Sequence, residues 1–224
     1  MRIAIAGATG LVGTQLTAAA ESAGHDVVPL TRSHGYDLAA GAPPDLSGVD
    51  AVVDVVGNVQ LDQADAPAFF AAVGHNLRRS GAPRKVLLSI IGVDETASGG
   101  GHYAAKFAQE QAYGDDVHIL RAAQFEEFPE QILEWTRQGN RVEIIDAQIQ
   151  PVAISAVVDA LLALATGEDD RRIVEIAGPE VHRLPDLVRA VAPPEVEVVT
   201  VPASPAIARG ALLPNEGAVI ATAR

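Results

Sequence analysis

The chain has 224 residues, 48% hydrophobic and 20% charged, with 16 Lys+Arg against 29 Asp+Glu for a net charge of −13 and no cysteine. That composition supports a packed core in one α/β unit and excludes disorder, while the negative field argues against nucleic acid or anionic membrane as a partner. The missing cysteines exclude disulfides, thiolate catalysis and cysteine-ligated metal.

No charged leader precedes the first apolar residues, and no apolar run reaches membrane-spanning length, so a cytoplasmic protein is expected. Only Lys85 and Lys106 among the basic residues are lysine. With abundant Ala, Gly, Val and Pro this suggests a GC-rich bacterial source. It also raises the question whether either lysine marks a site that needs a compact ammonium.

In chain order, 2–6 (RIAIA) reads as an apolar strand, followed by a glycine turn and a helix over 11–22 whose apolar residues recur at helical spacing. Gly24 ends that helix. Residues 26–31 form a second strand, a short third is expected around 36–38, and 50–56 (DAVVDVV) reads as a strand buried on both faces. A helix over 65–80 leads to a fifth strand, 85–91 (KVLLSII). A Gly99-Gly100-Gly101 loop precedes a helix over 102–112, and a sixth strand spans 117–121. This alternation with short connections implies a doubly wound parallel sheet with helices on both faces.

Beyond Arg121 the pattern loosens. Helices are expected over 129–138, 154–165, 184–191 and 205–212, and strands over 141–145, 171–177 and 195–201. Residues 1–122 are thus read as a Rossmann-type core. Residues 123–224 are read as a small extension packed over the carboxyl edge of the sheet, in one unit without a linker. The last ten residues, Asn215 to Arg224, carry little pattern and are expected to be loosely ordered.

The sharpest motif is the first strand-to-helix turn, Gly7-Ala8-Thr9-Gly10-Leu11-Val12-Gly13. Gly7 suits a tight turn, Gly10 close approach of a pyrophosphate, and Gly13 close packing of helix on strand. The helix N-terminus offers free N–H groups and partial positive charge to phosphates. A dinucleotide is therefore expected there, on Gly7, Thr9, Gly10, Leu11, Val12 and Gly13. The second strand ends Thr31-Arg32-Ser33, without the acid that usually meets an NAD ribose. Arg32 would pair with a 2′-phosphate, and Thr31 and Ser33 would donate hydrogen bonds to it, so NADP(H) is expected over NAD(H). Asp37 is a candidate for the adenine amino group, or equally a solvated turn carboxylate.

With these segments in order, the chain resembles the atypical short-chain dehydrogenase/reductases, specifically the NmrA-like NAD(P)-binding group. GATGLVG, KVLLSIIGVD, GHYAAKFAQEQ, ILRAAQFEEF, QPVAISAVVDALLAL and VEIAGPEVHRLPDLVRA carry the resemblance across nearly the whole chain. It implies a catalytic Tyr-x-x-x-Lys pair, with the lysine on the nicotinamide ribose and the tyrosine moving a proton at the substrate oxygen. Lys106 matches the lysine, but His102 stands where the tyrosine belongs, and Tyr103 follows it. Three readings stay open: His102 replaces the tyrosine, Tyr103 swings in, or the acid–base step is lost. Ser89, at the end of the fifth strand, is the candidate for a substrate or ribose hydrogen bond, or else a strand-end serine bonded to its own backbone. The loop Val56-Gly57-Asn58 is expected beside the cofactor, and the resemblance implies Gln124 and Phe125 near the nicotinamide, with Phe125 equally a plain core residue.

The six histidines show no metal-ligand spacing, so no metal is expected, and no Gly-x-Ser-x-Gly elbow suggests a hydrolase. The expected function is an NADP(H)-dependent oxidoreductase acting on a small apolar carbonyl, quinone or similar acceptor. The alternatives are a non-catalytic redox sensor that binds NADP(H) and, more weakly, a nucleotide-sugar epimerase or dehydratase. A small-molecule substrate is the expected partner. Oligomeric state is not fixed by the sequence, although apolar helices of this fold often pair into homodimers.

Overall fold

The computed structural model describes residues 1–57 and 64–222. Its elements follow the apolar runs. They are β1 (Arg2–Ala6), α1 (Leu11–Ser22), β2 (Asp26–Leu30), β3 (Ala51–Asp54), α2 (Ala66–Arg78), β4 (Arg84–Ile90), a short α3 (Val93–Thr96), α4 (Gly101–Tyr113) and β5 (His118–Ala122). The C-terminal half adds α5 (Phe128–Thr136), β6 (Arg141–Ile145), β7 (Gln148–Ile149), α6 (Ile154–Thr166), β8 (Ile173–Ala177), β9 (His182–Arg183), α7 (Leu184–Val191), β10 (Glu197–Val201), α8 (Pro205–Ala208) and β11 (Val219–Ile220).

Seven strands form one parallel sheet in the order β11-β8-β5-β4-β3-β1-β2. Alternate residues of each strand feed opposite faces. Ile3, Ile5, Val53, Val86 and Leu120 pack against Val12 and Leu16 of α1 and Val157 and Leu161 of α6. Ala4, Ala6, Val52, Leu87 and Ile119 pack against Val73 and Leu77 of α2 and Tyr113 of α4. Strand order reverses between β1 and β3, and such a switch point opens a crevice outside the carboxyl ends of the strands. The register brings Ala6 level with Leu30 of β2 and Asp54 of β3, so the three exits from these strands lie side by side.

A second cluster joins Val142 and Ile144 of β6 with Leu184 and Val188 of α7, Val196 and Leu212. This lobe meets the carboxyl edge through Tyr103, at the start of α4, while the bridge between Phe125 and Val152 belongs to the core of the sheet. The residues after 122 are not confined to the lobe. β8 and β11 extend the sheet, and α6 supplies much of one helix layer. The apolar face of α6 is wide enough to be buried against both α1 and the sheet, which explains its near-continuous apolar sequence.

Two expectations are corrected. No strand forms at 36–38, because the Asp37 carboxylate accepts the backbone N–H groups of Ala39 and Ala40, both at 3.2 Å, and bends the chain into a turn. The end of the chain is not loose as far as it is described. β11 pairs with β8, and Asn215 donates both its backbone and side-chain nitrogens to Glu175, at 2.7 and 2.9 Å. Arg224 lies outside the described residues. Among the described residues, no helix is long and apolar enough to cross a membrane.

Candidate functional site

The glycine turn has the shape its sequence requires. Gly7 has φ +85°, and a Cβ there would stand 2.9 Å from the Val55 carbonyl oxygen at the exit of β3. At Gly13 a Cβ would fall 2.0 Å from the Gly7 oxygen, so only glycine lets α1 start this close to β1. Gly10 differs, since its Cβ would meet only the Gly7 oxygen, at 3.3 Å. As the N-cap of α1, Gly10 offers no side chain to the first-turn N–H groups. The first intrahelical bond runs from Thr14 to Gly10, which leaves the N–H groups of Leu11, Val12 and Gly13 free for a ligand. Thr9 and Leu11 are exposed at this mouth, while Val12 is buried in the core.

At the exit of β2, Arg32 opens a 3₁₀ turn over Arg32–His34 and is exposed, with no carboxylate of the described residues in ion-pairing distance. Thr31 and Ser33 are partly committed to each other. Their hydroxyls lie 2.9 Å apart, and Thr31 Oγ1 also meets His34 Nδ1 at 2.7 Å. Asp37 caps its turn through one oxygen, as described above. Val56 is partly buried, and a Cβ on Gly57 would meet no described atom within 4 Å. Asn58 lies outside the described residues.

The acid–base candidates separate in space. His102 turns toward α2, where its ring stands edge-on to Phe70 at 6.1 Å. Its crowded surroundings and then the Lys106 ammonium push its pKa down to about 4, so it is neutral at pH 7. Tyr103 turns toward the C-terminal lobe and accepts a hydrogen bond from Gln124 Nε2 at 3.3 Å. Burial raises the pKa of the Tyr103 phenol, so it is a protonated donor rather than an activated phenolate. Two buried polar atoms close by in the fold have no partner among the described residues: Ser89 Oγ, one residue before the end of β4, and Gln124 Oε1, just past β5. Buried polar atoms are normally paired, so each is open to a ligand group or an ordered water, as is Thr17 Oγ1 in α1. Phe125 is partly buried and packs on the core of the sheet.

Lys106 is buried and held from several sides. Its Nζ donates to Gln109 Oε1 at 2.5 Å and stands 5.3 Å from the centre of the Phe70 ring. Gln109 Nε2 donates to Asp54 Oδ2 at 2.7 Å, and Tyr113 donates to the same oxygen at 3.0 Å. The second Asp54 oxygen accepts the Val56 backbone N–H at 3.0 Å. Burial brings the Lys106 pKa down to about 8, against the pull of the Asp54 and Glu110 carboxylates. Burial likewise pushes Asp54 up, while Lys106 and the three hydrogen-bond donors hold it back. Beside this chain, Glu110 takes Arg121 through both oxygens, at 3.1 and 2.8 Å, and Arg121 reaches Asp94 at 3.2 Å.

Asp54, Gln109, Glu110 and Tyr113 were not singled out from the sequence. A signal was present, since an acid inside the run AVVDVV must find partners, and Gln109 and Glu110 lie three and four residues after Lys106 on one helix. The other lysine, Lys85, lies at the amino end of β4, paired with Asp116 at 2.9 Å and away from the site.

No protein-family model and no curated protein matches the sequence. The fold is similar to that of many solved structures. One is the NAD-dependent NDP-hexosamine 5,6-dehydratase of tunicamycin biosynthesis, at 20% identity and TM-score 0.66, covering 92% of this chain and 86% of that one. A second is the dTDP-4-dehydrorhamnose reductase of Bacillus anthracis in complex with NADP, at 14% identity and TM-score 0.61, covering 98% and 89%. A third is a short-chain dehydrogenase/reductase superfamily protein of Agrobacterium tumefaciens with bound NAD, at 17% identity and TM-score 0.58, covering 100% and 89%. Likeness at these identities establishes the fold alone: this chain shares the Rossmann-type architecture of these proteins.

Proposed function

We propose that the protein is an NADP(H)-dependent oxidoreductase of the NmrA-like kind that reduces a small carbonyl, quinone or similar acceptor. The observation that carries this reading is the glycine turn. Gly13 is sterically obligatory, Gly7 has a positive φ, and an uncapped helix N-terminus faces the crevice where the strand order reverses. Gly7 and Gly13 also serve the close packing of α1 on β1, but the uncapped N-terminus at Gly10 has no such packing reason, and it fits a pyrophosphate. The exposed Arg32 supports a 2′-phosphate and hence NADP(H).

When bound, the dinucleotide supplies the hydride. The chain's own groups would bind and orient. The free N–H groups of Leu11, Val12 and Gly13 would hold the phosphates, and Lys106 would offer its ammonium to ribose hydroxyls. Ser89 Oγ and the Tyr103 hydroxyl are neutral donors for a substrate oxygen, with Gln124 fixing the direction of the Tyr103 proton. His102 is neutral at pH 7 and supplies no acid. The test is loss of reduced-nicotinamide absorbance on mixing NADPH with a panel of quinones and aldehydes. Turnover that falls on Ser89→Ala supports the reading, and no turnover with any acceptor argues against catalysis.

A second reading has its own support. Lys106 faces His102 and Asp54, and Tyr103 has a raised pKa with no contribution from the lysine, so the coupled Tyr–Lys acid–base unit is missing. A protein that binds NADP(H) without turning it over fits that loss. The two readings part on whether the oxidised and reduced cofactors bind alike and whether NADPH is consumed.

A further inference from the structure

We infer that Asp54 is a positioning residue of the cofactor site, holding the Lys106 ammonium in place through Gln109 and fixing the exit loop of β3 through the Val56 N–H. That the held ammonium serves a ribose rests on the function proposed above. The holding itself rests on geometry alone.

Among the described residues, three donors and no acceptor converge on Asp54: the Gln109 amide, the Tyr113 hydroxyl and the Val56 backbone. This is the environment of a carboxylate, not of a carboxylic acid. The consequence passes along the chain. An amide has one donor end and one acceptor end, so with Nε2 committed to Asp54 the Gln109 oxygen must point away, and it meets Lys106 at 2.5 Å. The ammonium can only donate, so the pattern closes in one orientation. All four side chains are buried, which makes each broken link costly and the arrangement correspondingly rigid.

Asp54 also joins two parts of the site that are far apart in sequence. It ends β3, whose next residue, Val55, stands against Gly7 in the phosphate turn, and its Oδ1 holds Val56 one step further. The groups that face Lys106 are Asp54 from β3, His102, Gln109 and Glu110 from α4, and the Phe70 ring from α2. Arg121 of β5 acts behind Glu110. Of these, only Asp54 is connected to Lys106 by a chain of hydrogen bonds through a neutral side chain. Glu110 spends both of its oxygens on Arg121.

The chain has only two lysines, so protein labelled with carbon-13 at the lysine ε-carbon gives two NMR signals, with Lys85 as the internal reference. In the native protein the Lys106 signal should titrate near its shifted value of about 8, with inequivalent ε-protons because the ammonium is held. In Asp54→Asn the Lys106 midpoint should fall by about one unit or more, since an opposing charge is gone. In Gln109→Met, which keeps the volume and removes the link, the ε-protons should merge. A folded variant of either kind in which Lys106 keeps its native midpoint and inequivalence overturns the inference. If Asp54→Asn does not fold, Gln109→Met decides alone. NADPH affinity is measured in parallel. A native protein that binds no NADPH defeats the cofactor reading, while the lysine spectra still judge the role of Asp54.

Discussion

The Lys106 ammonium is buried and held by Gln109 and the Phe70 ring, and its company decides what the neighbouring residues can do. It lies beside His102 and, with the packing around the ring, disfavours the charged imidazole in the tyrosine's place. A tyrosine at 102 would restore the usual spacing to Lys106. His102→Tyr should therefore raise the reductase rate, by up to about a hundredfold if a general acid is regained, and a fall in rate would show that His102 itself contributes. The lowered Lys106 pKa gives two opposite pH effects. Between about 8 and the ordinary 10.5 the unfolded chain binds the proton more readily than the folded one, so stability should rise with pH across that window. Affinity for a ribose held by the ammonium should fall as pH rises through about 8. At the edge of the crevice, Arg32→Ala should cost NADPH about 2 kcal/mol, roughly thirtyfold in Kd, and leave NADH nearly unchanged in the same titration. Equal losses for both would remove Arg32 from the 2′-phosphate.

At the scale of elements, the turn between β1 and α1 separates steric need from ligand need. Gly13→Ala puts a Cβ into the Gly7 oxygen and should cost about 2 kcal/mol of stability along with cofactor binding. Gly10→Ala meets only a 3.3 Å contact and should leave thermal unfolding almost unchanged while weakening NADPH binding, because its methyl would occupy the approach of the pyrophosphate. Two variants equally destabilised, or a Gly10→Ala protein that binds as the native does, would contradict this division. The same turn was legible in the sequence because its chemistry is local: a strand, three spaced glycines and a helix. The parallel strands were legible for a similar reason, as β-branched runs separated by helical spacing. Elements set by side-chain capping or by distant packing were not. Asp37 looks like any polar residue until its carboxylate is seen bending the chain, and β11 pairs only because β8 presents an open edge. The lysine was found by its motif, but the partners that hold it come from β3 and from further along α4, and no local pattern announces that a strand acid and a helix glutamine will meet.

For the molecule as a whole, a net charge of −13 sets a condition on any account that seats a dinucleotide here. The long-range field opposes an anion, so binding depends on a few local donors gathered at one edge: the first turn of α1, Arg32 at the exit of β2, and Lys106 beside the exit of β3. The parallel register delivers them together, since Ala6, Leu30 and Asp54 end their strands level with one another. The C-terminal lobe then meets the same edge through Tyr103, and Gln124 and Ser89 hold unpartnered polar atoms there. The most direct test of this arrangement is a calorimetric titration of the native protein with NADPH and NADH. Saturable binding of both is expected, with NADPH the tighter by roughly thirtyfold. Binding of neither would contradict it, because the glycine turn and the charges around it would then have no ligand to explain them.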